Sequence, residues 1–333
     1  MAFYQVAAGE ISVNPKTVNV VVTCTKQKTV PIPKELRLGL VRSSTLEKRA
    51  ERWISKLKSS RATTTPAETL YSGDHWQIAK SLTRVGLANG LRVQLWVCSA
   101  GYGLVAIGSQ LHPYSATFSA SHPDSVRMGR HRRLDASVLA EWWELLMHWK
   151  GPAPGEARSI TDLVKSHPKR PLLVVASSVY LGALRTDLEN ALRNLHDPQL
   201  LTIVSAGTDR IGELSPHVLP CDARLQRVLG GALMSLNVRI AKRILSRPEP
   251  WPFSHSKLVK SFDRLLAKQP PKLTYDRVSM TDNEVQRFIH RRLKKNSEMR
   301  PTPMLRFLRD SGFACEQKRF RALFQKVEES GDD

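Results

Sequence analysis

The run Val18-Asn19-Val20-Val21-Val22-Thr23 passes directly into Cys24-Thr25-Lys26-Gln27-Lys28. Valine, branched at Cβ, favours extended backbone, and a run without regular polar alternation reads as a strand buried on both faces. The polar loop after it stands at the strand's carboxyl end, the edge at which open α/β sheets bind ligands. Working outward, Ser44-Thr45-Leu46-Glu47 reads as a capping box. It opens a helix from Leu46 to Lys58 with Leu46, Ala50, Trp53, Ile54 and Leu57 on one face. Asp74 stands at the N-cap of a further helix through Leu82, and Leu91 to Cys98 reads as a second strand, ending in Ser99-Ala100-Gly101-Tyr102-Gly103. Asp135 caps a helix carrying Leu139, Trp142, Trp143 and Leu146. Strands return at 172–176 and 200–205, with a helix through Leu184, Leu188 and Leu192 between them. This alternation predicts an α/β fold with a mainly parallel sheet flanked by helices. Residues 222–246 read as one long helix, with Leu225, Leu229, Leu233, Leu236 and Ile240 facing the core.

Pro248-Glu249-Pro250-Trp251-Pro252 is a stiff junction. The expected organisation is a core over 1–247, a linker and connecting helix over 248–280, and a small all-helical appendage over 281–333. In the appendage Thr281-Asp282-Asn283-Glu284 is a capping box, and Ser311-Gly312 separates the last two of three helices. That outline is helix-turn-helix-like. Phe320, Leu323, Phe324 and Val327 would pack inward, leaving Gln317, Lys318, Arg321 and Gln325 for phosphate or base edges. The plainer account is a helical lid, because the segment carries only +3 (12 basic, 9 acidic residues).

The 333 residues are 41% hydrophobic, which excludes global disorder. Lys and Arg number 51 against 30 Asp and Glu, a formal charge of +21. Such a chain concentrates polyanions at its surface, and double-stranded DNA is the first expected partner. Basic clusters supply the contacts: Arg130, Arg132 and Arg133 in one, Arg291, Arg292, Lys294 and Lys295 in another, with Lys318 and Arg321 on the last helix. No apolar stretch has the length to cross a bilayer, so no membrane partner is expected. Met1-Ala2-Phe3-Tyr4-Gln5 lacks a basic region followed by an apolar run, so no signal peptide is expected. Cys24, Cys98, Cys221 and Cys315 are far apart in sequence, which suits a reducing, cytoplasmic setting. Their spacing, and that of His75 and His122, matches no metal site, and neither metal nor cofactor is expected.

Three polar elements follow three strands, at Cys24-Thr25-Lys26, at Ser99 to Gly103 and at Ser177-Ser178-Val179-Tyr180, and loops at one sheet edge can line one pocket. Thr25, Ser99, Gly101, Ser177, Ser178 and Tyr180 are its candidate binding residues. Tyr102 and Tyr114 can stack on a base, each supplying about 1–3 kcal/mol; their plainer role is core packing. Asp74 and Asp124 are the nearest carboxylates, able to activate water or stabilise a sugar cation, although a helix cap explains Asp74 equally well. Lys26 can bind phosphate or, if desolvated, form an imine. It can equally be a solvated loop lysine.

Cys98-Ser99-Ala100-Gly101-Tyr102-Gly103-Leu104-Val105 followed by Leu111-His112-Pro113-Tyr114 resembles the Ser-Gly-x-Tyr-Gly-Leu and Pro-Tyr signature of the YaaA-like family. Leu70-Tyr71-Ser72-Gly73-Asp74-His75-Trp76 is similar to that family's Asn-Gly-Asp-Val-Tyr element. Val174-Val175-Ala176-Ser177-Ser178-Val179-Tyr180 is similar to its Leu-Ala-Ser-x-Glu-Tyr segment, with Val179 where the family has glutamate. The three occur in the family's order over about residues 18 to 185. His122-Pro123-Asp124-Ser125 also resembles a loop of uracil-DNA glycosylases.

The resemblance implies a uracil-DNA-glycosylase-like fold and a DNA-binding role. Related sequences include bacterial antiphage glycosylases that excise glucosylated cytosine derivatives. The expected function is therefore a DNA N-glycosylase that flips a modified base and leaves an abasic site. The alternative is a non-catalytic DNA- or RNA-binding stress-response protein of the YaaA type.

Overall fold

A computed structural model describes residues 16–127, 136–206, 211–247, 254–271 and 276–330. The N-terminal pentapeptide, Arg130, Arg132, Arg133, the cap at Asp135 and the junction at 248–252 lie outside the described residues. The chain divides into two compact units, one ending at Pro270 and one beginning at Pro271.

In chain order the strands of the first unit are β1 (Lys16–Thr23), β2 (Thr65–Pro66), β3 (Leu91–Ser99), β4 (Gly103–Ala106), β5 (Gln110–Leu111), β6 (Leu172–Val175), β7 (Leu201–Ser205) and β8 (Val218–Pro220). Its α-helices are α1 (Leu46–Ser59), α2 (Ala67–Leu70), α3 (Asp74–Leu87), α4 (Ala136–Met147), α5 (Ile160–Ser166), α6 (Ser178–Asn194), α7 (Gln226–Leu229), α8 (Leu236–Leu245) and α9 (His255–Ala267). Six strands form the central sheet in the order β4-β3-β1-β6-β7-β8. Every neighbouring pair is parallel except β3 and β4, which pair antiparallel. The short strands β2 and β5 pair with each other outside it.

β1 lies inside the sheet, and Val18, Val20, Val21 and Val22 are all buried. A strand covered on both faces has no solvent side to alternate toward, which is why its sequence is almost unbroken valine. The register sets Thr23 beside Cys98 and Val22 beside Val175. The carboxyl ends of β1, β3 and β6 therefore stand level at one edge.

The α1 cap sits one residue later than the sequence pattern suggests. Thr45 is the N-cap and accepts from the Lys48 amide. Lys48 occupies the third helical position, so the reciprocal glutamate of a capping box is absent there. The single helix expected over 222–246 is broken into short 3-10 and α segments. Gly230 and Gly231 take φ of 67° and 73°, in the left-handed region that no helix can continue through. As a result Leu233 is half exposed instead of facing the core. α9, expected to be part of a connecting segment, places Leu258 and Phe262 in the same apolar cluster as the sheet.

The second unit holds α10 (Asp282–Leu293), α11 (Pro301–Asp310) and α12 (Gln317–Glu329). Its own core includes Val285, Ile289, Leu308, Phe320 and Phe324. Thr281 and Glu284 form the reciprocal capping box of α10. The unit is not purely helical, because β9 (Val278–Ser279) pairs in parallel with β10 (Phe313–Ala314). No described helix is long and apolar enough to cross a membrane.

Candidate functional site

A cleft of about 710 Å³ opens at the carboxyl edge of the sheet. Its floor and walls come from five places: 23–27 after β1, 72–75 at the start of α3, 116–120, Ser177, Val179 and Tyr180 at the start of α6, and the segment around Met234 to Asn237. Arg127 completes the lining.

Thr25, Lys26, Ser177, Tyr180 and Asp74 are among the residues that line it. Thr25 Oγ1 donates to the Ser72 carbonyl at 2.9 Å, tying the β1 loop to the α3 loop. Lys26 is exposed. An imine-forming lysine needs desolvation, so the surroundings of Lys26 suit phosphate contact and not imine chemistry. Lys28 is half-buried, and desolvation draws its pKa down. Its Nζ donates to the Thr25 carbonyl at 2.7 Å and lies 4.8 Å from the ring centres of both Tyr71 and Tyr114.

Asp74 is the first helical residue of α3, after Gly73 at the N-cap, so it is not the cap. Both of its oxygens lie 3.0 Å from Arg239 Nη2 on α8. A hydrogen bond from the Ser235 side chain and the Arg239 pair hold its carboxyl below the usual carboxylate range. It is therefore ionised at neutral pH.

The Ser99-to-Gly103 loop is not part of the lining. Ser99, Tyr102 and Tyr114 are buried. Ser99 Oγ accepts from the amides of Gly101 at 3.1 Å and Tyr102 at 2.9 Å, and pairs with Tyr114 Oη at 2.6 Å. Tyr114 Oη continues to Tyr71 Oη at 2.9 Å. Tyr102 Oη accepts from the His112 amide at 3.0 Å. Gly101 serves this packing: a Cβ there would lie 2.4 Å from the Tyr114 ring. The two tyrosines expected to stack on a base thus belong to the interior, and desolvation raises both phenol pKa values. Ser178 is the first residue of α6 and does not face the cleft. Asp124 is also removed from it: the buried carboxylate accepts from the Gly39 amide at 3.0 Å and lies 3.8 Å from Arg37 Nη1.

Sequence reasoning placed Cys24 in a pocket-lining loop but missed Phe118, His75 and Arg127, among other lining residues. Phe118 packs edge-on against Tyr180, centroids 4.9 Å apart. Cys24 Sγ meets Tyr180 Oη at 3.2 Å. His75 is held below its ordinary pKa by burial, hence neutral at pH 7, and its Nε2 has no hydrogen-bond partner. Arg127 is buried, and its Nε and Nη1 have no hydrogen-bond partners. The wall carrying Phe118 and Arg127 is anchored from behind. Arg49 of α1 donates to the carbonyls of Val41 at 2.9 Å, Leu38 at 3.0 Å, Val126 at 2.6 Å and Ser125 at 3.2 Å.

In the second unit Lys318 and Arg321 are exposed along α12, as are Gln317 and Gln325. Arg291, Lys294 and Lys295 are exposed at the carboxyl end of α10, where cations suit the helix dipole. Arg292 instead lies 3.6 Å over the Phe307 ring centre. Among the described residues no group of three or more His, Cys, Asp or Glu side chains could hold a metal ion. Compared with protein-family models, curated proteins and solved structures, the chain matches none.

Proposed function

We propose that the protein is a DNA N-glycosylase that draws a modified base out of the duplex into the sheet-edge cleft. The observation that carries this reading is the make-up of the cleft. Its lining joins an aromatic pair, Phe118 and Tyr180, to two cations, Lys26 and Arg127, and to one carboxylate, Asp74. A base inside a duplex hides its glycosidic bond, so an enzyme cutting that bond must extrude the nucleotide and receive it in such a pocket. A volume of about 710 Å³ leaves room for a base with a bulky substituent, such as a glucosylated hydroxymethylcytosine. In the reaction the C1′–N bond breaks, the base leaves with a proton, and water supplies hydroxyl to C1′. An ionised Asp74 stabilises the sugar cation or takes the proton of that water. The YaaA-like resemblance and the charge of +21 point the same way.

The rival reading is a binding protein without chemistry. It draws on the bond between Asp74 and Arg239, which already occupies both oxygens of that carboxylate. One assay separates the two. The full chain is incubated with duplexes that carry or lack glucosylated hydroxymethylcytosine, and alkali then cleaves any abasic sites. Strand cleavage confined to the modified duplex is the expected result. Tight binding of several modified duplexes with no abasic product would favour the rival.

DNA affinity should fall steeply with salt, each neutralised phosphate adding about 0.9 to the magnitude of the log–log slope. Salt-insensitive binding would remove the electrostatic part of the argument. A chain ending at Pro270 should keep its fold, because the second unit has its own core. Its affinity for duplex DNA should drop by about tenfold or more, the worth of a few lost charge-assisted contacts. Equal affinity in the folded truncation would leave residues 271–333 with no part in DNA binding.

A further inference from the structure

Two of the three guanidinium nitrogens of Arg127 are buried without a partner. The residue is only 8% exposed. Its Nε and Nη1 have no hydrogen-bond partner. A guanidinium stays protonated in any protein, so it cannot escape the burial penalty by losing its proton. Removing such a charge from water without pairing it costs several kcal/mol. The side chain lines the cleft, so a cleft ligand can reach it.

Two further observations point to an anion beside it. α6 is 17 residues long, and its N-cap, Ser177, lines the cleft with no side-chain capping bond, leaving the first amides of the helix open. Such amides and the helix dipole favour negative charge. Among the described residues the one carboxylate that lines the cleft, Asp74, is already matched by Arg239, so it does not neutralise Arg127.

We infer that the cleft contains a phosphate subsite centred on Arg127 and the amino end of α6, and that it holds the phosphodiester flanking the extruded nucleotide. The inference rests on the reading that a nucleotide occupies the cleft, and adds that the enzyme grips the backbone of that nucleotide as well as its base. A phosphodiester is ionised at every relevant pH and accepts several donors at once, which matches a fixed guanidinium together with backbone amides. A free base or nucleoside would leave Arg127 unpaired, so the substrate class is a phosphate-bearing nucleotide within a strand.

The test uses the full-length protein and the four deoxynucleoside 5′-monophosphates, compared with the four deoxynucleosides by calorimetry at fixed ionic strength. The monophosphates should bind at least about tenfold tighter, the worth of one charge-assisted contact. Inorganic phosphate should compete with them. Arg127→Gln should erase the preference, and Arg127→Lys should keep part of it. Equal binding of nucleosides and monophosphates, no binding of monophosphates, or a preference unchanged in Arg127→Gln overturns the subsite. The wild-type comparison stands even if the variants fold poorly. The abasic-site assay keeps the two claims apart. Excision without phosphate preference rejects the subsite and keeps the glycosylase. Phosphate preference without excision on any modified duplex does the reverse.

Discussion

Asp74→Asn is expected to lower excision of a modified base by about 10²–10⁴-fold, the usual worth of a positioned acid–base group. Affinity for the same duplex should change little. The substitution removes the one carboxylate that lines the cleft among the described residues but leaves Lys26, Arg127 and the basic surface in place. Stability should also change little, because the Asp74–Arg239 pair is partly exposed on both sides. Pairs of that kind contribute about 0–1 kcal/mol. Single-turnover kinetics with abasic-site detection gives the chemical step, and a binding titration gives the affinity. Full turnover in the variant would assign Asp74 to anchoring α3 against α8 and nothing more.

Arg49→Met should strongly destabilise the fold. The side chain is 5% exposed and satisfies four carbonyls from two separate segments. Methionine is of similar size but brings no donor, so the carbonyls of Val41, Ser125 and Val126 lose this partner, while that of Leu38 keeps the Val41 amide. The expected loss is on the order of 3–5 kcal/mol, since each hydrogen bond to a charged donor contributes about 1.5–3 kcal/mol and some acceptors will find water. Arg49→Lys should recover less than half, because an ammonium cannot span carbonyls arranged around a planar fork. Denaturant unfolding of the three proteins measures this. A loss below about 1 kcal/mol for Arg49→Met would mean that water replaces the guanidinium at little cost. Since Ser125 and Val126 directly precede Arg127, the variant should also loosen the cleft wall and weaken monophosphate binding.

Much of the fold was legible locally. The valine run of β1, the aromatic face of α4 with Trp142 and Trp143, and the Thr281–Glu284 box each carry their signal within a few residues. Local reading failed where two local signals compete. Apolar spacing over 222–246 suggested one helix, yet Gly230 and Gly231 break it, because backbone conformation outweighs side-chain periodicity. It failed again where a polar residue stands on an apolar face. Arg49 follows Leu46 by three positions and precedes Trp53 by four, so it points inward, and its partners are carbonyls from residues as far away as Val126.

The candidate site was legible in its location but less so in its membership. Strand patterning alone pointed to a mainly parallel α/β sheet and, with it, a candidate site at the edge formed by Cys24 to Lys28 and Ser177 to Tyr180. Strand patterning states which residues are buried, and a parallel sheet sets its loops at one edge. The tertiary structure alone decided which loops share the cleft. Thr117, Phe118 and Arg127 come into it through packing against α1, while Tyr102 and Tyr114 go below it because Ser99 and Tyr71 bind their network inside. A glycine–tyrosine motif looks alike whether its ring meets a ligand or the core. Burial of that ring is fixed by contacts between segments far apart in the chain, and no local spacing encodes them.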